Sequence, residues 1–142
     1  MSQIFKHVLI PVDFSEDSEL AAGIALGKFA ADAETITIVT VCETRGNRHT
    51  EMPPEIDQLV IDNIKQRTSD FAERYNDKYK NLNTIIKKGC AATQILNTAQ
   101  DMNIDLIVMG SQGRSSLARV FFGSTTYDVA RKAKCSVFTI RT

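Results

Sequence analysis

Three glycines near the C-terminal end of the chain, followed by a run of hydroxyl side chains, could form a binding site for phosphate. They lie in the segment GSQGRSSLARVFFGSTT, from Gly110 to Thr126. Glycine lets a backbone approach an anion closely, and successive N–H groups in such a turn form an anion-binding concavity. A purely structural interpretation competes with this one: Gly110 ends a strand, Gly113 turns a loop and Ser124 caps a helix. Spacing alone leaves both interpretations open.

The hydroxyl run adds a second means of holding an anion, because we expect the last helix to begin at Gly123–Thr126. A helix N-terminus presents unpaired N–H groups and the positive end of the helix dipole. Arg114 and Arg119 either add positive charge or face water. The two commonest phosphate motifs, GxxxxGK[ST] and GxGxxG, do not occur in the sequence. The segment is therefore a phosphate-site candidate by its chemistry and not by either motif.

Length and charge narrow the class of protein. The chain has 142 residues, which favours a single domain spanning 1–142. Seventeen Lys and Arg balance seventeen Asp and Glu, so the net charge directs the chain neither to nucleic acid nor to anionic lipid. No run approaches the roughly 18 apolar residues of a membrane span. We expect no nucleic-acid partner and no membrane association.

The three cysteines, Cys42, Cys90 and Cys135, are widely spaced and form neither a CxxC pair nor a zinc-type cluster. We interpret them as buried or half-buried residues in a reducing compartment, with redox activity of one as the alternative. This composition predicts a cytoplasmic location.

Strand-like and helix-like segments alternate along the chain, as in an α/β protein. Gly23 and Gly27 form a GxxxG in the first helix, which we expect to pack that helix closely on a sheet. Apolar runs predict strands at His7–Val12, Thr35–Val41, Thr84–Lys87, Asp105–Met109 and Ser136–Ile140. Helical spacing predicts helices that follow Ser15 or Asp17, run from Glu55 towards Lys78, include Ile95–Met102, and include Val129–Ala133.

Strands separated by helices predict an open parallel sheet with right-handed crossovers and helices on both faces. Such sheets bind ligands outside the carboxyl ends of their strands, where the winding reverses. The loops to inspect therefore begin at Asp13, Val41 and Gly110.

The C-terminal motif resembles a known family. Gly110, Gly113, Gly123 and Ser124 fit the pattern G-x2-G-x9-G-[ST], and Pro11-Val12-Asp13 follows the first strand. With these motifs the chain, from Phe5 to Arg141, resembles the ATP-binding branch of the universal stress protein family. Ser136 departs from the pattern, since proline often follows the cysteine there.

The resemblance implies a five-stranded parallel sheet of order 3-2-1-4-5, with helices on both faces, the adenine nucleotide alpha hydrolase-like fold. It also implies a homodimer paired through strand 5. The implied ligand is ATP, or ADP or AMP, with Mg²⁺ carried on the phosphates and no metal-binding side chains. The implied contacts are Pro11, Val12 and Asp13 with the main chain of Val41 at the adenosine, Met109 and Gly110 at the ribose, and Gly113, Arg114, Gly123, Ser124 and Thr125 at the phosphates.

Three functions fit this sequence. The first is a stress-response regulatory protein that holds an adenine nucleotide. The second is a slow ATPase or self-phosphorylating protein, although neither His7 nor His49 is placed by the sequence beside the phosphates as a base. The third is a dimeric interaction protein without nucleotide, against which the intact glycine pattern argues. The sequence names neither the signalling partner nor the stress that it serves, and it indicates no catalytic residue.

Overall fold

The computed structural model describes residues 5–29, 32–43, 54–79, 81–111 and 123–141. In these ranges the strands and helices alternate in the predicted order. The elements are β1 (His7–Pro11), α1 (Glu16–Lys28), β2 (Thr35–Glu43), α2 (Pro54–Asn76), β3 (Leu82–Gly89), α3 (Ala91–Asp101), β4 (Leu106–Gly110), α4 (Ser124–Lys132) and β5 (Ser136–Ile140).

The five strands form one parallel sheet of order β3-β2-β1-β4-β5, which confirms the predicted fold. The chain builds outward from β1 through β2 to β3 and then crosses to the other side of β1. β1 therefore has β2 on one side and β4 on the other, and the carboxyl ends of these three strands lie next to one another.

Helices cover both faces of the sheet, which explains why β1 and β4 consist mainly of apolar residues. Val8 and Ile10 face a core shared with α1 and with Phe71 of α2. Leu9, between them in sequence, faces the other core, with α3 and Val129 of α4. All three strand residues are fully buried. The central strands are thus held rigidly from both sides.

The first helix begins at Glu16, directly after Ser15, whose hydroxyl accepts a hydrogen bond from the Ser18 N–H at 3.2 Å. Ser15 is therefore the N-cap, which resolves the choice between Ser15 and Asp17. The helix packs on the sheet through buried residues, and the two glycines of the GxxxG are not among them. The buried set is Ser18, Ala21, Ala22, Ala25 and Leu26.

The expected role of the GxxxG is wrong. A Cβ at Gly27 would have no neighbour within 4 Å, and one at Gly23 would meet only the Tyr75 hydroxyl, at 3.8 Å. Alanine, and not glycine, is the small residue that brings α1 close to the sheet.

The second helix is anchored at its C-terminal half. Phe71 and Ala72 are buried, whereas Ile56 and Val60 in the first turns are 47% and 36% exposed. Ile56, Val60 and Phe71 lie at helical spacing in the sequence, which predicts that they share one face of the helix. In its first turn, α2 meets the sheet through a polar contact, because Asp57 pairs with Lys88 of β3 at 2.6 Å.

The sequence underestimated the lengths of two strands and the exposure of one cysteine. β2 extends to Glu43 and β3 begins at Leu82, because the two pair along eight consecutive positions. Cys42 is buried and Cys135 is half-buried, as expected, but Cys90 is exposed. Among the residues in the described ranges, no helix is both long and apolar enough to cross a membrane.

Candidate functional site

The end of β1 turns directly into a loop that leads to α1. Pro11 is the last residue of the strand, and the N–H of Val12 donates to the Val39 carbonyl of β2 at 2.9 Å. Both Pro11 and Val12 are buried, whereas Asp13 is half-exposed. Asp13 is thus the first residue of the loop whose side chain is accessible at this end of the sheet.

The loop that carries Asp13 is held by its own polar groups. The N–H of Ser15 donates to Asp13 Oδ1 at 3.0 Å, and the N–H of Asp13 donates to Ser18 Oγ at 3.2 Å. The Ser18 hydroxyl in turn donates to the Ser15 carbonyl at 3.1 Å. These bonds tie the aspartate to the first turn of α1.

The neighbouring strand β2 continues past the end of β1. The last residue that pairs with β1 is Val39, so Val41 lies beyond the β1 ladder. Its side chain packs against the core beneath α3. The backbone of Val41 is a part of the strand that a ligand at this edge could contact.

On the other side of β1, the end of β4 is joined to the start of α4. The N–H of Gly123 donates to the Ser111 carbonyl at 2.7 Å. The Thr126 hydroxyl donates to the Gly110 carbonyl at 2.8 Å, and both Thr126 and Ser111 are 3% exposed. The segment between Ser111 and Gly123 therefore starts and ends at one place, beside the end of β1.

Gly110 has a packing role in addition to any role in binding. A Cβ at this position would lie 3.0 Å from the Asp17 carbonyl carbon and oxygen in α1. Such distances are tighter than nine in ten real Cβ contacts, so glycine lets the first turn of α1 lie against the end of β4 without displacement. Gly110 is also the last residue of β4, which confirms the part of the structural interpretation in which it ends a strand.

The structural interpretation of the glycine segment also predicted that Ser124 caps α4, and the start of this helix shows that it does not. Gly123 is the N-cap and has no side chain with which to cap. Ser124 is the first residue inside the helix and is exposed, and Thr125 follows it, half-buried. Ser124 therefore does not cap α4. Its hydroxyl is left at the N-terminus of the helix, where unpaired backbone N–H groups attract anions.

The described candidate residues come from three adjacent strand ends and one helix start. Met109 contributes less than expected through its side chain, which is 5% exposed and lies in the core with α3 and α4. Gly113 and Arg114 lie outside the described residues. The candidates that the fold gathers at this end of the sheet are Pro11, Val12, Asp13, Val41, Met109, Gly110, Gly123, Ser124 and Thr125.

His7 lies at the opposite end of the sheet. It is the first residue of β1, and its Nδ1 lies 2.8 Å from the Thr35 hydroxyl. It is therefore a strand-end residue, as we expected, remote from the carboxyl ends of the strands. His49 lies outside the described residues. Within the described ranges, no three His, Cys, Asp or Glu side chains are grouped closely enough to hold a metal ion.

Sequence reasoning missed the buried residues that support the candidate site. Ser18, Ser111 and Thr126 are buried hydroxyl residues that fix the loop after β1 and the start of α4. Thr126 stands in the hydroxyl run, but nothing in that run distinguishes it from Ser124. Phe14 was also missed, because a left-handed backbone is not expected of phenylalanine.

The model of the universal stress protein family matches residues 4–141 of this chain. The chain is 24% identical over 158 residues to universal stress protein MJ0577 of Methanocaldococcus jannaschii, covering 99% of this chain and 98% of that protein. The solved structure of MJ0577 aligns with a TM-score of 0.87 at 26% identity, covering 98% of this chain and 97% of that one.

Two further solved structures share the fold. One is a universal stress protein in complex with cAMP, 22% identical, with a TM-score of 0.69 over 96% of this chain and 97% of that one. The other is a family protein from Arabidopsis thaliana with AMP bound, 16% identical, with a TM-score of 0.64 over 96% of this chain and 91% of that one.

Proposed function

This chain belongs to the universal stress protein family, and we propose that it is a regulatory protein that binds an adenine nucleotide at the carboxyl ends of β1, β2 and β4. One observation carries the proposal. The start of α4 is fixed against the end of β4 through Gly123 and Thr126, next to Asp13 at the end of β1. A carboxylate and a helix N-terminus thus lie on neighbouring strand ends, where parallel sheets bind ligands.

The two halves of this edge suit the two halves of a nucleotide. Asp13 can accept hydrogen bonds from ribose hydroxyls, and the backbone of Val41 can bond to the edge of the adenine ring. Ser124 and Thr125, with the N–H groups around them, suit the phosphates because the helix dipole favours negative charge there. Gly113 and Arg114 complete the phosphate side by resemblance to the family motif.

The two nucleotide complexes among the structural neighbours support the choice of ligand. One family member holds cAMP and another holds AMP, and both share this sheet and its helices. An adenine base, a ribose and at least one phosphate are common to these ligands and to ATP. We propose ATP as the ligand of this chain because the glycine motif resembles the ATP-binding branch.

We further propose that Mg²⁺ accompanies ATP and is held mainly by the phosphate oxygens, a common arrangement for this ion. When bound, it would neutralise phosphate charge. Ser124 and Thr125 offer hydroxyl oxygens at the start of α4, which are of the hard type that Mg²⁺ prefers.

We propose a holding role in preference to rapid turnover. Phosphoryl transfer needs a group that orients the nucleophile. His7, the histidine in the described part of the chain, lies at the amino ends of the strands, remote from the proposed phosphate site. ATP retained through purification, or hydrolysed over minutes to hours, is the expected result. Repeated turnover at about 1–100 s⁻¹, as in kinases, would favour an enzyme instead.

The test of the site is calorimetry with ATP·Mg²⁺ and with adenosine. We expect Gly113→Val to abolish ATP binding in a protein that still folds, because a β-branched side chain would occupy the phosphate position and exclude positive φ. Adenosine should bind the parent protein weakly if the phosphates supply most of the affinity. Unchanged ATP affinity in folded Gly113→Val would mean that the glycines serve the turn alone.

A further inference from the structure

We propose that Phe14 is a positioning residue for this site, which holds the loop that carries Asp13 by packing against α2. The inference rests on the nucleotide-binding function proposed above and extends it to a side chain that packs against α2 and is not among the candidate contacts. It also makes α2, an element that supplies none of the candidate contacts, a determinant of nucleotide affinity.

The backbone of Phe14 is in a conformation that its side chain does not favour. Its φ is +65°, in the left-handed region. For a bulky residue this conformation is an outlier, and it persists only where the surrounding structure over-determines it. Strained residues of this kind cluster at functional sites. The contacts of Phe14 must therefore supply what its backbone conformation costs.

Those contacts come from α2. The guanidinium carbon of Arg67 lies 4.4 Å from the centroid of the Phe14 ring, within the range of a cation–π interaction. On a second side, the ring meets Phe71 edge-on, with centroids 6.5 Å apart and an interplanar angle of 72°. Phe71 is itself 2% exposed, in the core. Phe14 is thus anchored between a cation at the surface and a fixed ring inside.

The local hydrogen bonds carry this anchoring to Asp13. Phe14 is the residue between Asp13 and Ser15, and the Ser15 N–H donates to Asp13 Oδ1 across it. A change of φ at Phe14 rotates the peptide plane that carries the Ser15 N–H relative to the plane that carries the Asp13 carbonyl. Relaxation of Phe14 to a negative φ would therefore move the Ser15 N–H away from the carboxylate and remove one of the hydrogen bonds that orient it.

The expected consequence is a loss of preorganisation. If the loop is competent for binding only part of the time, the apparent Kd rises by the inverse of that fraction. Substitutions that weaken the anchor should thus weaken nucleotide binding although they remove no contact with the ligand.

The first experiment compares Phe14→Ala with Phe14→Tyr by calorimetry with ATP·Mg²⁺, with urea unfolding to establish the folded fraction. We expect Phe14→Ala to raise the Kd about tenfold, which corresponds to a loop that is competent about one time in ten. Phe14→Tyr keeps the ring and should bind within about twofold of the parent. A pocket of about 120 Å³ opens beside the ring, between α1 and α2, so there is room for the added hydroxyl.

A pair of arginines on α2 supplies a matched control. Arg74 also lies over an aromatic ring, 5.4 Å from the Phe71 centroid, and it pairs with Glu19 at 3.7 Å, but the ring it covers is not that of the loop. We expect Arg67→Met to raise the Kd about two- to fivefold, from the size of an exposed cation–π interaction, and Arg74→Met to leave it unchanged. This pair decides the question if Phe14→Ala fails to fold.

A double-mutant cycle with Asp13→Ala separates positioning from general stability. If Phe14 acts through Asp13, adding Phe14→Ala to Asp13→Ala should raise the Kd less than about threefold. A purely structural role predicts the same tenfold loss in both backgrounds, and that result would overturn the inference. Equal affinities of Arg67→Met and Arg74→Met would overturn it too, and so would parent-like binding by folded Phe14→Ala. In all these cases the proposed function stands. A parent protein that binds none of ATP, ADP and AMP would overturn both.

Discussion

At the scale of single residues, two of the glycines have opposite roles. A Cβ at Gly110 would collide with the Asp17 backbone, whereas one at Gly27 would meet nothing within 4 Å. Gly110 is therefore needed for space, and Gly27 is a helical glycine with no packing reason to remain.

We predict that Gly110→Ala lowers the free energy of unfolding by about 1–3 kcal/mol, the usual cost of overpacking. Gly27→Ala should raise it by up to about 1 kcal/mol, since alanine is the better helix former. Urea denaturation of both variants beside the parent measures this directly. A Gly110→Ala protein as stable as the parent would show that α1 can move away from β4 at little cost.

The cysteines should differ in reactivity by position. The backbone N–H and then the hydroxyl of Thr93, at the start of α3, favour the thiolate of the exposed Cys90 and lower its pKa. Burial raises the pKa of both Cys42 and Cys135. Because the thiolate is the nucleophile, a lowered pKa makes Cys90 reactive at a lower pH than an ordinary thiol.

We therefore predict that iodoacetamide alkylates Cys90 first, as mass spectrometry over a pH series would show. Thr93→Val removes the hydroxyl donor and should shift the alkylation curve of Cys90 to higher pH. The curves of Cys42 and Cys135 in the same protein are the internal control. Equal rates for all three thiols would contradict the assignment.

At the scale of elements, the start of α4 is held by one buried hydroxyl and leaves another exposed. Thr126 donates to the Gly110 carbonyl inside the protein, whereas Ser124 is exposed at the first position of the helix. We therefore expect the Thr126 hydroxyl to contribute to stability and the Ser124 hydroxyl, two residues away, to contribute to nucleotide binding.

We predict that Thr126→Val, which keeps the shape of the side chain, costs about 1–3 kcal/mol by leaving a buried carbonyl without this donor. Ser124→Ala should change stability by less than about 0.5 kcal/mol, as at other exposed positions, yet weaken ATP binding. Thermal unfolding and calorimetry on both proteins make the comparison. A large stability loss in Ser124→Ala would restore its interpretation as a cap.

The sequence predicted the elements best where burial on both sides of the sheet makes a strand apolar throughout, as in β1 and β4. It was less successful for β3, an edge strand in which polar residues dilute the apolar signal. The start of α2 was predicted at Glu55 and lies at Pro54, but helical spacing did not show that Ile56 and Val60 are exposed. The strand order came from family resemblance.

Residue type at the strand ends predicted the candidate site, but the sequence did not predict the residues that hold the site in place. Gly110 and Gly123 stand out in the sequence because glycine is rare and punctuates structure. Ser111 and Thr126 act through burial, which depends on how α4 meets β4. Phe14 could not be found at all, since its positive φ and its contacts with Arg67 and Phe71 depend on tertiary packing.

At the scale of the whole molecule, different groups lie at the amino ends and at the carboxyl ends of the strands. At the amino ends, the Asp105 carboxylate accepts hydrogen bonds from the N–H groups of Lys6 and His7, at 2.9 and 3.0 Å. Asp105 also donates its own N–H to the His7 carbonyl, so one residue joins the starts of β4 and β1. At the carboxyl ends of the strands, loops and the starts of helices occupy the corresponding position. This asymmetry supports our proposal that the ligand binds at the carboxyl ends.

The sheet has two edges, and β5 is the one that we propose for a homodimer. An edge strand exposes unpaired backbone groups, and an apolar edge invites pairing with another chain. Phe138 of β5 is 45% exposed, with its ring 5.2 Å from that of Phe29. Val137 is half-buried and Ile140 is buried, so Phe138 is the apolar side chain that the edge presents most openly.

We predict that the parent protein has twice the 15.8 kDa mass of one chain at micromolar concentration, and that Phe138→Lys has the mass of a monomer. Lysine on an edge strand opposes pairing by its charge, most strongly where two copies meet about a two-fold axis. Leu59→Lys is the matched control, because Leu59 is 66% exposed on α2, which packs over β2 and β3 rather than β5. Multi-angle light scattering should find that variant still dimeric. A parent protein of monomer mass would exclude the β5 dimer, and a dimeric Phe138→Lys would move the interface elsewhere.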